Sequence, residues 1–169
     1  LLGGRDYVAP DDIQYVLPQT IAHRLLPVAG AGRGRREQVR AMIEAVSIPV
    51  EVGGGLREIA HVEAVLEAGA RWAIVGTRAA LDPAFLGAVC DRFGEQIIVG
   101  IDASDGKVAV DGWTRVLDLD AIALGRDAAA AGAAGIIYTD IARDGTQTGP
   151  NLWSTGAVAS VLWNVCPTT

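Results

Sequence analysis

Cysteine, basic clusters and long apolar runs are all scarce in this sequence, and each shortage excludes a class of protein. Two cysteines in 169 residues are too few for a disulfide framework. The 14 Lys and Arg residues face 20 Asp and Glu residues, and the net charge of −6 comes with no basic patch for a nucleic acid. No apolar run reaches the roughly 20 residues of a membrane span. The sequence therefore predicts neither a nucleic-acid partner nor a membrane partner.

The residues that are plentiful indicate a globular chain. Half of the sequence is hydrophobic and 21 residues are glycine, which excludes a disordered segment. The length predicts one domain over residues 1–169. No leader with a basic start and an apolar centre opens the sequence, so we expect a cytoplasmic location.

Short apolar runs recur through the middle of the sequence. They occupy residues 48–52, 72–75, 97–101 and 136–138, and each is flanked by Gly or Pro. Runs of this length favour buried strands, and the segments between them have the apolar spacing of helices. Strands that alternate with helices predict an α/β fold with a parallel sheet and right-handed crossovers. Weaker patterns indicate a strand at 25–28 and a last helix from Leu152 onwards.

Several residues mark where the predicted elements begin and end. Asp82, directly before a proline, is typical of a helix start. Gly69, Gly94 and Gly132 each follow a helical segment, where a left-handed residue would cap the helix. Asp105–Gly106 predicts the turn of a hairpin after the third strand.

Glycines follow the first two predicted strands. Ligands of parallel α/β folds bind at the carboxyl ends of the strands, so these positions are informative. Gly53–Gly55 follow the first strand, and Gly76 and Thr77 follow the second. Small residues at a helix N-terminus leave N–H groups free for an anion, which predicts a phosphate site. Ordinary tight turns are the alternative interpretation.

Polar residues end the third and fourth predicted strands. A partly buried carboxyl group at Asp102 would suit acid–base chemistry, and a cap of the next turn is the alternative. Trp113 could pack in the core or stack on a planar ligand, and its spacing favours the core. Thr139 and Asp140 end the fourth strand, and Asp144–Thr146 then form a turn.

Other reactive side chains have plainer interpretations. Cys90 lies beside the apolar stripe of a predicted helix and is expected to be an inert buried thiol. His61 is expected to be solvated, and His23 lies in a region without a clear pattern. None has a partner at the spacing of metal ligands, so no metal site is predicted.

Four strings, in this order and at these separations, carry a resemblance to one family: SIPVEVGGGLR, WAIVGTRAALDP, VGIDASDGKVAVDGW and IIYTDIARDGTQTGPN. They are similar to the phosphoribosylformimino-5-aminoimidazole carboxamide ribotide isomerases of histidine biosynthesis, which are (βα)8 TIM barrels. The resemblance covers residues 33–151. Because a complete barrel needs roughly 250 residues, it implies a partial barrel of about five to six βα units.

The resemblance implies an Amadori rearrangement, without a cofactor, of an aminoaldose ribotide that carries two phosphates. In this family an Asp on the fifth strand protonates the sugar ring oxygen, and it corresponds to Asp102. Thr139 corresponds to the threonine beside the reacting sugar. The residues predicted to bind substrate and phosphate are Gly54, Gly55, Gly76, Thr77, Trp113, Asp144 and Gly145.

Both ends of the sequence depart from the family. The Asp that acts as base on the first strand has no counterpart, and the resemblance stops after Asn151. We therefore expect an isomerase that is incomplete, or disturbed in reading frame, at both ends, with impaired activity. One alternative is a relative of the cyclase subunit of imidazole glycerol phosphate synthase. Another is a non-catalytic, phosphate-binding partial barrel. Open sheet edges would allow self-association.

Overall fold

The computed structural model describes residues 31–146 and 148–165. The chain falls into two compact units, residues 1–47 and residues 48–169, and each is described by itself. The strand predicted at 25–28 and His23 lie outside the described residues. One domain over residues 1–169, with its family-like part at 33–151, stays a prediction.

The described part of the first unit contains one helix, α1 (Ala31–Glu44). Val39 and Ile43 on this helix are half-buried, whereas Met42 is exposed. Its apolar stripe is therefore only partly covered.

The second unit is built on a six-stranded sheet with a parallel body and an antiparallel hairpin. The strands are β1 (Glu51–Gly53), β2 (Trp72–Val75), β3 (Ile97–Ser104), β4 (Lys107–Val110), β5 (Arg115–Asp120) and β6 (Gly135–Asp140). The parallel strands lie in the order β1-β2-β3-β6, and the β4–β5 hairpin joins the second half of β3. The predicted α/β fold with a parallel sheet is confirmed.

Helices follow the parallel strands, as the spacing of the apolar runs predicts. They are α2 (Ile59–Glu67), α3 (Thr77–Leu81), α4 (Pro83–Phe93), α5 (Ala121–Ala130) and α6 (Leu152–Val165), and a 3-10 turn (Gly94–Gln96) ends α4. Asp82 caps α4 as predicted, because its Oδ1 accepts from the N–H groups of Ala84 and Phe85 at 3.0 and 3.1 Å. The last helix begins at Leu152, also as predicted.

Side chains of β3 alternate between two environments. Ile97, Val99, Ile101 and Ala103 are at most 1% exposed, and the core that contains them also includes Val62, Phe85, Val89 and Leu124 from the helices. Burying each large aliphatic side chain contributes about 1.5–3 kcal/mol. The alternate residues, among them Gly100 and Asp102, point to the other, half-buried face. This alternation places the candidate acid on the face that the helices leave open.

Two of the three predicted glycine caps are correct. Gly69 and Gly132 have φ values of +105° and +88° just after their helices. Gly94 is a correction: its φ is −35°, because the chain continues into the 3-10 turn. A Cβ placed there would lie 2.9 Å from the carbonyl oxygen of Gly132. Gly94 therefore allows its backbone to pack closely against that of Gly132, and it is not a left-handed helix cap.

The predicted hairpin turn is confirmed. Asp105 and Gly106 have φ values of +50° and +78°, and β4 returns antiparallel to β3. The third strand is longer than its apolar run, because it continues through Asp102 to Ser104. In the part of the chain that the structure describes, the sheet is not closed, as expected of a partial barrel.

Candidate functional site

Asp102 and Thr139 meet at the carboxyl ends of two neighbouring parallel strands. They are register partners on β3 and β6, so their side chains point to the same face of the sheet. Both residues are half-buried. On the other side of β3, Asp102 pairs with Ala109 of the hairpin. The two residues predicted to be catalytic are thus brought together.

Trp113 contacts the candidate acid directly. Its indole Nε1–H donates to Oδ2 of Asp102 at 2.9 Å, and 43% of the residue is exposed. The prediction that Trp113 packs in the core is therefore wrong. The reason is the connection between β4 and β5, which turns the ring back over the end of β3 instead of into the interior.

We name the first three residues of that connection, Asp111–Trp113, the strap. Its three residues, Asp111, Gly112 and Trp113, have φ values of +55°, +66° and +70°. A left-handed conformation at a non-glycine residue costs about 1–3 kcal/mol, so neighbouring contacts must hold the strap. One such contact is the N–H of Asp111, which donates to Oγ1 of Thr77 at 3.2 Å.

The β4–β5 hairpin that carries the strap is held by charged pairs. Arg115 donates to Oδ2 of Asp111 at 3.0 Å, and Lys107 donates to Oδ1 of Asp118 at 2.8 Å. The hydrogen bond from Lys107, followed by its charge, holds the pKa of Asp118 below its usual value. The same contact raises the pKa of Lys107. Both side chains reach solvent, so the pair orients the hairpin more than it stabilises it.

Glycines after β1 and β2 are arranged differently from one another. Gly54 and Gly55 have φ values of +90° and +71°, but α2 begins only at Ile59. The prediction that the glycine triplet opens a helix is therefore wrong, and these residues form a loop. Thr77 does open a helix, α3, which has only 5 residues. A Cβ at Gly76 would lie 3.6 Å from the carbonyl oxygen of Gly100, so this turn lies against β3.

The loop after β6 is organised by Asp140, whose role the sequence did not reveal. Its Oδ1 accepts from the N–H of Ala142 at 3.1 Å, and its Oδ2 accepts from Nδ2 of Asn151 at 2.7 Å. The N–H of Asp144 donates to the carbonyl oxygen of Asp140 at 3.0 Å, and Gly145 has a φ of +70°. Asp140 and Asn151 thus close the loop that carries the predicted residues Asp144 and Gly145.

The other reactive side chains of the described residues lie outside the cluster of Asp102, Thr139 and Trp113. Cys90 is 4% exposed, and burial, with a smaller effect of Asp91, raises the pKa of its thiol. His61 is exposed, as predicted, and lies 3.9 Å from a carboxylate oxygen of Glu58. Among the described residues, no group of three His, Cys, Asp or Glu side chains could hold a metal ion. No described helix is long and apolar enough to cross a membrane.

This arrangement has the parts needed to exchange protons with a polar ligand. A carboxyl group, a hydroxyl group and an indole N–H converge at the end of β3, on the half-buried face. The carboxyl group can give or take a proton, while the other two can orient an oxygen or a nitrogen atom. Sites at the carboxyl ends of parallel strands are the general rule for α/β enzymes.

Parallel strands with helical crossovers and a polar cluster at their carboxyl ends define an enzyme-like βα protein, a class to which the TIM barrels belong. A family model for the histidine biosynthesis proteins matches residues 26–166, and the chain belongs to this family. A second model, for an AAA lid domain, matches residues 1–46, of which the structure describes only residues 31–46.

Three curated relatives share the name 1-(5-phosphoribosyl)-5-((5-phosphoribosylamino)methylideneamino)imidazole-4-carboxamide isomerase. The protein of Citrifermentans bemidjiense is 44% identical over 127 residues, which cover 75% of this chain and 52% of the relative. The protein of Microcystis aeruginosa is 47% identical over 131 residues, covering 76% and 52%. That of Trichlorobacter lovleyi is 42% identical over 141 residues, covering 82% and 58%. The chain therefore spans little more than half the length of these relatives.

Proposed function

We propose that this chain carries the acid side of an isomerase site that converts an aminoaldose ribotide into the aminoketose. The observation that carries the proposal is the placement of Asp102 beside Thr139 at the carboxyl ends of β3 and β6. Membership of the histidine biosynthesis family and the isomerase names of its relatives support the reaction type.

The proposed chemistry needs only proton transfers. Asp102 protonates the ring oxygen of the ribotide, which opens the sugar to a Schiff base. Removal of the proton at C2 by a second group then gives an enolamine, which becomes the ketone. A positioned acid of this kind contributes about 10²–10⁴-fold to the rate. The hydroxyl of Thr139, on the neighbouring strand, is placed to orient the sugar.

The proposed substrate is a ribotide with a phosphate at each end. The glycines Gly54, Gly55 and Gly76, with Thr77, are the proposed contacts of one phosphate. Asp144 and Gly145 are the proposed contacts of the rest of the substrate, together with the ring of Trp113. The family's place in biosynthesis favours the cytoplasm as the location.

An assay of the purified chain tests this proposal. Isomerisation of the aminoaldose ribotide is followed for the wild type, Asp102→Asn and Asp105→Asn. Asp105 is an exposed turn residue near the end of the same strand, and Asn tolerates its left-handed conformation, so it is a matched control. We expect little turnover, because the base has no counterpart, and we expect Asp102→Asn to lower it by at least about tenfold and Asp105→Asn to leave it unchanged.

Two other outcomes separate the alternatives. Ammonia-dependent consumption of the aminoketose would indicate the cyclase-type reaction instead. Equal rates in all three proteins would indicate a partial barrel without catalytic function. We also propose that the unpaired edges of the described sheet allow self-association, which a mass measurement at two protein concentrations detects.

A further inference from the structure

The strap is strained, exposed and tied at both of its ends. Its residues Asp111, Gly112 and Trp113 are all left-handed, although only one of them is a glycine. The N–H of Asp111 donates to Oγ1 of Thr77, and the indole N–H of Trp113 donates to Asp102. Strained backbone of this kind persists only where surrounding contacts determine it, and it is commonly found at functional sites.

Contacts within the hairpin fix the first strap residue further. The hydroxyl of Thr114 donates to the carbonyl oxygen of Asp111 at 2.9 Å, and Arg115 holds its carboxylate. The backbone N–H, the backbone carbonyl and the side chain of Asp111 are thus all engaged. Of these three contacts, only the one with Thr77, at the start of α3, lies outside the hairpin.

We propose that Thr77 is a positioning residue for Asp102, acting through the strap. The hydroxyl of Thr77 holds Asp111, and the fixed backbone of the strap places the Trp113 indole on Oδ2 of Asp102. This inference rests on the proposed function, because it concerns the acid of that reaction.

The direction of the hydrogen bonds from Trp113 and Asp111 determines which atoms remain able to donate a proton. An indole N–H can only donate, so Oδ2 of Asp102 must accept. Because the unprotonated oxygen of a carboxyl group is the better acceptor, this hydrogen bond favours the proton on Oδ1, and the strap thereby selects which oxygen acts as the acid. The Thr77 hydroxyl accepts from Asp111 and keeps its own proton, so it stays able to donate elsewhere.

Proton exchange at the indole of Trp113 tests this inference without any turnover. NMR measures exchange of the Trp113 Nε1 proton with water in the wild type, Thr77→Val and Thr77→Ser, and Trp113→Phe assigns the resonance. Valine keeps the shape of threonine but lacks the acceptor, whereas serine keeps the hydroxyl. We expect exchange to accelerate at least about threefold in Thr77→Val and to stay within about twofold of the wild type in Thr77→Ser.

Equal exchange rates in the wild type and Thr77→Val would overturn the inference. A second measurement needs no variant: the amide proton of Asp111 is expected to be protected from exchange in the wild type, and an unprotected amide would overturn the inference as well. The proposed function fails separately. If Thr77→Val accelerates exchange of the Trp113 indole proton but the chain does not isomerise the substrate, the proposed reaction is contradicted. If the chain isomerises the substrate through Asp102 but Thr77→Val leaves the exchange rate unchanged, the role of Thr77 is contradicted.

Discussion

Gly94 shows how one missing side chain allows two segments to meet. Its backbone lies against Gly132, which follows α5, and a Cβ at Gly94 would lie 2.9 Å from that carbonyl oxygen. The φ of Gly94 is ordinary for any residue, so the constraint is purely one of space. Backbone contacts of this kind cannot relax as a flexible side chain can.

Replacing Gly94 by alanine is therefore expected to destabilise the chain by about 1–3 kcal/mol, the usual cost of overpacking. Gly87→Ala is the matched control, because Gly87 lies inside α4 and a Cβ there meets nothing within 4 Å. That control should stabilise the chain by about 0.5–1 kcal/mol, since alanine favours the helix. Urea unfolding measures both, and equal effects of the two substitutions would contradict the argument.

The buried thiol of Cys90 makes stability depend on pH in one direction. Burial raises its pKa, so the folded chain holds the thiol proton at pH values where the unfolded chain loses it. The contribution is complete below the unfolded pKa of about 8.5 and is lost as the pH rises through the folded pKa.

We expect the free energy of unfolding to fall above about pH 8.5, by at most about 1.4 kcal/mol per pH unit. Cys166→Ser provides the background in which only Cys90 can titrate as a thiol. Adding Cys90→Ala should remove this part of the slope. Urea titrations at pH 7, 8.5 and 9.5 compare the two proteins, and an unchanged slope would show that the thiol does not contribute.

At the level of single residues, the sequence predicts the position of the Asp102 carboxyl group better than it predicts the side chains that contact such groups. Asp102 and Thr139 follow from the rule that polar residues at the carboxyl ends of parallel strands carry function. The contact of Trp113 depends on three consecutive left-handed residues, and no local pattern specifies such a run. The role of Asp140 depends on Asn151, which reaches it only after the chain turns back.

At the scale of elements, Asn151 joins a loop to a helix. Its Oδ1 accepts from the N–H of Ser154 at the start of α6, and its Nδ2 donates to Asp140 at the end of β6. One side chain therefore caps the helix and closes the loop that contains Asp144 and Gly145.

Two substitutions separate these roles. Asn151→Ala removes both contacts and is expected to cost about 1–2 kcal/mol, the range of lost helix caps. Asn151→Ser keeps a capping oxygen but cannot donate to Asp140 from an amide, so it should cost less. Urea unfolding gives the two values, and a serine variant as unstable as the alanine variant would show that the cap contributes little.

The sequence predicts whether a segment is a strand or a helix more accurately than it predicts the first and last residues of that element. The four apolar runs predict all four parallel strands because they are short and rich in the β-branched residues that favour strands. The limits differ because hydrogen bonding extends the ladder beyond the apolar residues, as in β3, which continues to Ser104. Conversely, β1 begins only at Glu51, after Pro49, whose missing N–H cannot join a ladder.

At the scale of the whole molecule, the described sheet contains fewer parallel strands than a complete barrel. Four parallel strands lie in the order β1-β2-β3-β6, and in residues 48–146 and 148–165 the two outer strands each pair on one side only. A complete barrel has eight such strands, and the relatives are nearly twice as long as the matched region. We therefore propose that full activity requires strands and a second proton-transferring group beyond the described sheet.

The most direct test of the account is a chimera in which a relative supplies the other strands and the second proton-transferring group. Residues 48–151 of this chain replace the matching segment of the Citrifermentans bemidjiense isomerase, and isomerisation of the aminoaldose ribotide is measured. We predict an active chimera whose rate falls about 10²–10⁴-fold with Asp102→Asn and changes less than about twofold with Asp105→Asn. A folded chimera that is inactive, or one that keeps its rate with Asp102→Asn, would contradict the assignment of Asp102 as the acid.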